Sequence, residues 1–159
     1  MYESGIKMNT YLDIETSFKG NITVFGIYFD NGDLKQLVGK EITKKNIINV
    51  LKNVNTIYTY NGSRFDLPVI KNKLGIDLEE LFNCHDLMYD CWNCKIYGGL
   101  KSVEKQLSVP RKREMDGNDA MELWDRYVTT DDKSALKILL EYNSEDVINL
   151  KVLKNKLKI

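Results

Sequence analysis

The chain has 159 residues, with 23 Lys+Arg against 23 Asp+Glu, one His and a formal net charge of +0. That length suits one compact domain, expected over residues 1–159, and the charge balance excludes a polybasic protein that coats nucleic acid by bulk counterion release. A hydrophobic fraction of 43% predicts an ordinary globular core, a single imidazole excludes double-His metal sites, and no apolar run nears the roughly 20 residues that span a bilayer.

The opening MYESGIKMNT lacks the basic start and apolar stretch of a secretory leader. Residues 10–15 read as a strand, and 22–29 (ITVFGIYF) is rich in β-branched and aromatic residues. Asp30-Asn31-Gly32-Asp33 supplies a tight turn into a third strand over 34–38, which predicts an antiparallel meander. Thr43 is placed to cap a helix in which Ile47, Ile48 and Leu51 line one face, after which 56–60 (TIYTY) returns as a strand. A helix between two strands implies a parallel crossover.

Beyond Asn61-Gly62, the spacing of Phe65, Val69, Ile70 and Leu74 predicts a helix from 64 to 75, with Pro68 tolerated in its first turn. A last short strand is expected over 80–84, followed by helices broken only around 109–118. In the final helix, 132–157, Leu136, Leu139, Leu140, Val147, Leu150, Leu153 and Leu157 trace an apolar stripe. The predicted fold class is α/β: a five-stranded mixed sheet, its first three strands antiparallel, flanked by helices and followed by a helical C-terminal half.

Several carboxylates interrupt these apolar patterns. Asp13 and Glu15 sit two apart in a strand, so both point to one face while Leu12 and Ile14 point to the other. Either that face is exposed, or the pair is buried and needs a cation between its charges. Asp66 lies where a strand ends and a helix starts, a usual place for ligands in open α/β sheets and equally a place where an acid favours the helix dipole. Tyr142 and Asp146 are four apart on one helix face, and Asp146 either breaks the buried stripe or stands solvated beside Glu145.

In order, DIET, NGSRFDLP and YNSED resemble the three motifs of the ribonuclease H-like 3′-to-5′ exonucleases of the DEDD superfamily. The Tyr-x-x-x-Asp form of the third motif resembles the tyrosine subgroup, and the one His, His85, lies elsewhere. NGSRFDLPVI is also similar to the second motif of family B DNA polymerase proofreading domains, and DGNDAMELWDRY followed by YNSED is similar to the small standalone ribonuclease H-like nucleases.

The resemblance implies a ribonuclease H-like fold and a two-metal mechanism with Mg²⁺ or Mn²⁺, hydrolysing phosphodiester bonds at single-stranded DNA or RNA 3′ ends and releasing nucleoside monophosphates. It implies that Asp13 bridges both ions, that Glu15 and Asp146 complete one site, that Asp66 serves the other through water, and that Tyr142 orients the attacking water. Two alternatives keep the fold: a structure-selective endonuclease, and a catalytically idle nucleic-acid-binding or assembly module. Near the metals, Thr16 and Asn61 are candidate contacts to a terminal sugar and Phe65 a candidate base platform, although Asn61-Gly62 also makes a turn and Phe65 also fits core spacing.

Lys101, Lys105, Arg111, Lys112 and Arg113 form either a phosphate track or a solvated face. Asp86 is placed to cap a helix or to brace the site. Cys84, His85, Cys91 and Cys94 hold the ligand types of a Cys₃His zinc site, but adjacent Cys84 and His85 would point to opposite faces of a strand, which favours structural cysteines. Three cysteines cannot pair completely, so a reducing compartment is expected, and with it a cytoplasmic protein that has no membrane partner.

Overall fold

A computed structural model describes residues 6–159; residues 1–5, half of the segment searched for a leader, lie outside the described residues. The chain runs β1 (Met8–Thr16), β2 (Ile22–Phe29), β3 (Leu34–Val38), α1 (Lys44–Val50), β4 (Val54–Thr59), α2 (Asp66–Leu74), α3 (Leu78–Leu81), β5 (Asn83–Asp86), α4 (Leu87–Asn93), α5 (Leu100–Gln106), α6 (Gly117–Thr130) and α7 (Lys133–Leu157). The strand order is β3-β2-β1-β4-β5. β1, β2 and β3 pair antiparallel, whereas β4 lies parallel to β1 and β5 parallel to β4. The five-stranded mixed sheet expected from the sequence is therefore present, with β1 at its centre.

Local chemistry explains the joins. Asn31 Oδ1 accepts the Asp33 N–H and Gly32 adopts φ +94°, which closes the β2–β3 hairpin. Thr43 Oγ1 accepts the Asn46 N–H and starts α1 as expected. Ile47 and Leu51 are fully buried, but Ile48 is 38% exposed, because one residue turns the helix by about 100° and carries it out of the buried face. Pro68 is the third residue of α2, where its missing N–H removes no helical bond, and Gly75 ends the helix at φ +68°.

The strand expected over 80–84 is displaced. Asp77 accepts from the N–H groups of Glu79 and Glu80 and winds Leu78–Leu81 into a helical turn, so β5 begins only at Asn83. Capping of exposed N–H groups outweighs the β preference of this short stretch. In α7 the stripe is confirmed at its centre, where Leu139, Val147, Leu150 and Leu153 are buried, while Leu136, Leu140 and Leu157 are half-buried at its margins.

The sheet separates two faces. On one, Leu12, Ile14, Phe25 and Ile27 pack against Ile47 and Leu51 at α1 and Leu67 and Ile70 of α2. On the other, Tyr11 meets Leu87, Cys91, Val103, Leu150 and Leu153, and Val24 meets Ala120, Leu123, Leu139 and Tyr142. Fully burying one such side chain contributes about 1.5–3 kcal/mol. On this second face α7 packs across β1 and β2. Among the described residues, no helix is long and apolar enough to cross a membrane.

Candidate active site

Alternation along β1 turns Asp13 and Glu15 toward α7, opposite Leu12 and Ile14. One oxygen from each of Asp13, Glu15 and Asp146 lies within 4.8 Å of the others. Glu15 is only 7% exposed and Asp146 4%, so neither the exposed-face reading of the pair nor a solvated Asp146 survives. Asp66, also 4% exposed, arrives from the start of α2, and its Oδ2 accepts the backbone N–H of Ile14 at 3.0 Å, between the two acids of β1. The dipole role considered for Asp66 is compatible with this placement, since it occupies the first turn of α2.

The turn before Asp66 is fastened by Asp86. Its carboxylate accepts from Asn61 N–H at 2.8 Å, Ser63 N–H at 3.2 Å and Ser63 Oγ at 2.6 Å, and also caps α4 through Met88 N–H. Both roles weighed for Asp86 are therefore realised. Asn61 adopts φ +58°, and Gly62 is required for space, since a Cβ there would lie 2.3 Å from Thr59 Oγ1. Asn61 Oδ1 is enclosed yet accepts no hydrogen bond from the protein. Thr16, at the end of β1, is half-buried, and Phe65 is 46% exposed, which removes the core-packing reading of Phe65.

Crowded, enclosed carboxylates bind protons tightly. Burial, then the charge of Asp146, pushes Glu15 up to about 8, and burial, opposed by the Ile14 N–H, pushes Asp66 up to about 7. Asp13 is raised well above the carboxylate range by burial and by Asp146, Glu15 and Asp66. Burial raises Asp146 too, against the opposing pull of Lys101 and Arg111. Burial and the neighbouring Asp146 charge push the Tyr142 hydroxyl far above its ordinary value, so it is a neutral phenol at physiological pH.

Two basic residues reach this cluster in ways that sequence spacing did not reveal. Lys101 Nζ donates to Tyr142 Oη at 2.6 Å. Arg111 donates to both oxygens of Glu104, at 2.6 and 2.7 Å, and to Asp146 Oδ1 at 2.5 Å. Arg111 is thus no part of a surface phosphate track: its side chain is 9% exposed, and its pKa, lowered by burial, is raised overall by Glu104 and Asp146. Lys105, Lys112 and Arg113 are the exposed members of the basic stretch, and Arg113 is paired with Glu141.

The cysteines do not assemble. Cys84 Sγ donates to Leu78 O, His85 pairs with Asp90, Cys91 is buried in the core, and Cys94 is exposed. Among the described residues, Asp13, Glu15 and Asp146 form the one group with the spacing to hold a metal ion. Their donors are all carboxylate oxygens that repel one another, a set that fits a hard divalent cation such as Mg²⁺ or Mn²⁺.

Residues 10–158 match a sequence profile described as the RNase H superfamily. The chain belongs to the RNase H superfamily. Its mixed sheet and flanking helices are accordingly RNase H-like, and every acid of the cluster lies within the matched residues. Among solved structures, the family B DNA polymerase from the hyperthermophilic archaeon Pyrobaculum calidifontis is similar, with a TM-score of 0.72 and 14% identity over 95% of this chain. This RNase H superfamily member spans 24% of that polymerase chain. No curated protein sequence matches it.

Proposed function

We propose that this protein is a metal-dependent 3′-to-5′ exonuclease of the tyrosine type, releasing nucleoside monophosphates from single-stranded DNA or RNA ends. The supporting observation is the convergence of Asp13, Glu15 and Asp146 within 4.8 Å, on a chain of the RNase H superfamily. Asp13, Glu15 and Asp146 would hold the metal, with Asp13 shared between two ions and Asp66 serving the second through water. Asp66 Oδ2 accepts the Ile14 N–H, which fixes this carboxylate beside β1. When bound, Mg²⁺ or Mn²⁺ ions activate the attacking water and neutralise charge on the scissile phosphate.

The remaining chemistry falls to the chain. Tyr142 is held as a phenol, which suits orienting a water and not deprotonating it. Because Tyr142 Oη accepts from Lys101 Nζ, its own proton is free to donate to the water. The same ammonium places a positive charge next to the arriving phosphate. Half-buried Asn61 and Thr16 contact the terminal nucleotide. Exposed Phe65 stacks on an unpaired base, an interaction worth about 1–3 kcal/mol per base.

Incubation of 5′-labelled single-stranded DNA and matched RNA with Mn²⁺ tests this reading. Products shortened one nucleotide at a time from the 3′ end are expected, with Asp13→Ala folded and inactive. Mid-chain cuts would indicate the endonuclease reading. Binding without metal-dependent cleavage would indicate an idle module.

A further inference from the structure

We infer that Asn143, next to Tyr142, is a positioning residue that sets the two carboxylates of β1 for cation binding, seated by Gly26 and oriented by Gln36. This rests on the metal-site reading above. Asn143 is fully buried, and its Nδ2 faces Asp13 O at 3.2 Å, Asp13 Oδ2 at 3.3 Å and Glu15 Oε1 at 3.4 Å. Its Oδ1 accepts from Gln36 Nε2 at 3.0 Å, and Gln36 also donates to Leu140 O at 2.8 Å. The Gln36 amide therefore fixes which way Asn143 points. A flipped Asn143 would set its carbonyl oxygen against two carboxylates and its NH₂ against a donor.

The seat is built into the sheet. Asp13, Gly26 and Gln36 are directly paired across β1, β2 and β3, so they form one row on the face beneath α7. In the middle of that row there is no side chain, and the Asn143 amide fills the gap. A Cβ on Gly26 would lie 1.9 Å from Asn143 Oδ1 and 2.8 Å from its Cγ. Glycine in the interior of an otherwise β-branched and aromatic strand marks such a close approach. Gly26 does not have a positive φ, so space and not backbone conformation selects it.

The arrangement suits a neutral donor between two anions. Asn143 offers N–H groups to Asp13 and Glu15 without adding charge. Groups that orient metal ligands from behind typically alter metal affinity by about 10- to 100-fold when removed.

Mn²⁺ binding by electron paramagnetic resonance, together with thermal unfolding, tests the inference on wild type, Asn143→Ala, Gly26→Ala and the double variant. Wild type is expected to bind Mn²⁺ saturably and Asp13→Asn to lose it; absence of binding to wild type would overturn the site reading and this inference with it. Asn143→Ala is expected to bind Mn²⁺ about 10- to 100-fold more weakly, and to lower kcat for an oligonucleotide while KM changes little. Gly26→Ala alone should show the same loss with a lower Tm. Added to Asn143→Ala, it should raise Tm and leave affinity where Asn143→Ala set it, because the clash is gone. A folded Asn143→Ala or Gly26→Ala variant with wild-type Mn²⁺ affinity would overturn the inference, whatever its Tm. If Asn143→Ala does not fold, Gly26→Ala alone decides.

Discussion

Arg111 and Glu104 bring opposite charges into a place where neither is tolerated alone. Glu104 is 1% exposed and takes two hydrogen bonds from Arg111, which also reaches Asp146. Removing one partner of a buried pair costs about 3–5 kcal/mol, whereas replacing both with apolar residues is often neutral. Arg111→Ala is accordingly expected to lose about that much stability in urea unfolding, and Arg111→Met with Glu104→Leu to recover part of it, since Asp146 still lacks its guanidinium. A loss within surface-mutation size for Arg111→Ala would contradict the pairing. This contact was not legible in the sequence, because Glu104 lies on α5, Arg111 in a loop and Asp146 on α7, with no periodicity linking them. Asp13, Glu15 and Asp146 were legible because local pattern, which left each open between a buried and an exposed reading, was joined by the ordered motifs DIET, NGSRFDLP and YNSED.

At the scale of elements, α7 closes on β1 over carboxylates that favour the protonated state. Glu15 is pushed up to about 8 and Asp66 to about 7, with Asp13 and Asp146 also raised. Unfolded carboxylates titrate near about pH 4. The folded chain thus holds these protons more tightly, so their contribution to stability is fully present below about pH 4 and is lost as pH rises through about 7 to 8. Asp77, Asp116 and Asp132, whose values are lowered by Lys71, by the Asp119 N–H and by Ser134 respectively, act in the opposite sense and only at lower pH. The Tm of metal-free protein is expected to fall between about pH 5.5 and 8.5 and to be restored at the upper pH by Mn²⁺. A flat or rising metal-free Tm would contradict the burial of these charges.

The joint between β4 and α2 makes a second prediction at this scale. Asp86 fastens the Asn61–Ser63 turn and caps α4, so Asp86→Ala should cost more than the usual cap loss of about 1 kcal/mol and lower kcat through Asp66. Stability loss with unchanged kcat would confine Asp86 to capping. The cap was readable from the sequence, but the bracing was only one of two readings, since pairing of β4 with β5 is what brings Asp86 beside Asn61. The strands β2 and β3 were equally plain, from β-branched and aromatic enrichment and the turn between them, while the start of β5 was hidden by the competing cap at Asp77.

For the whole molecule, formal neutrality has a specific meaning. On the proposed reading, two divalent ions bound at the acids would shift the formal charge from 0 to about +4. Metal loading is therefore expected to strengthen association with a phosphate backbone. The fold follows from apolar patterning along strands and helices; the site depends on Asp13 and Glu15 on one face of the central strand. Crystals grown in Mn²⁺ and measured for anomalous scattering test the central claim most directly. Two peaks are expected at the carboxylates, both contacting Asp13, one also contacting Glu15 and Asp146, and neither present in Asp13→Asn. Peaks at Cys84, Cys91 or Cys94 alone, or none at the carboxylates in saturating Mn²⁺, would contradict the account.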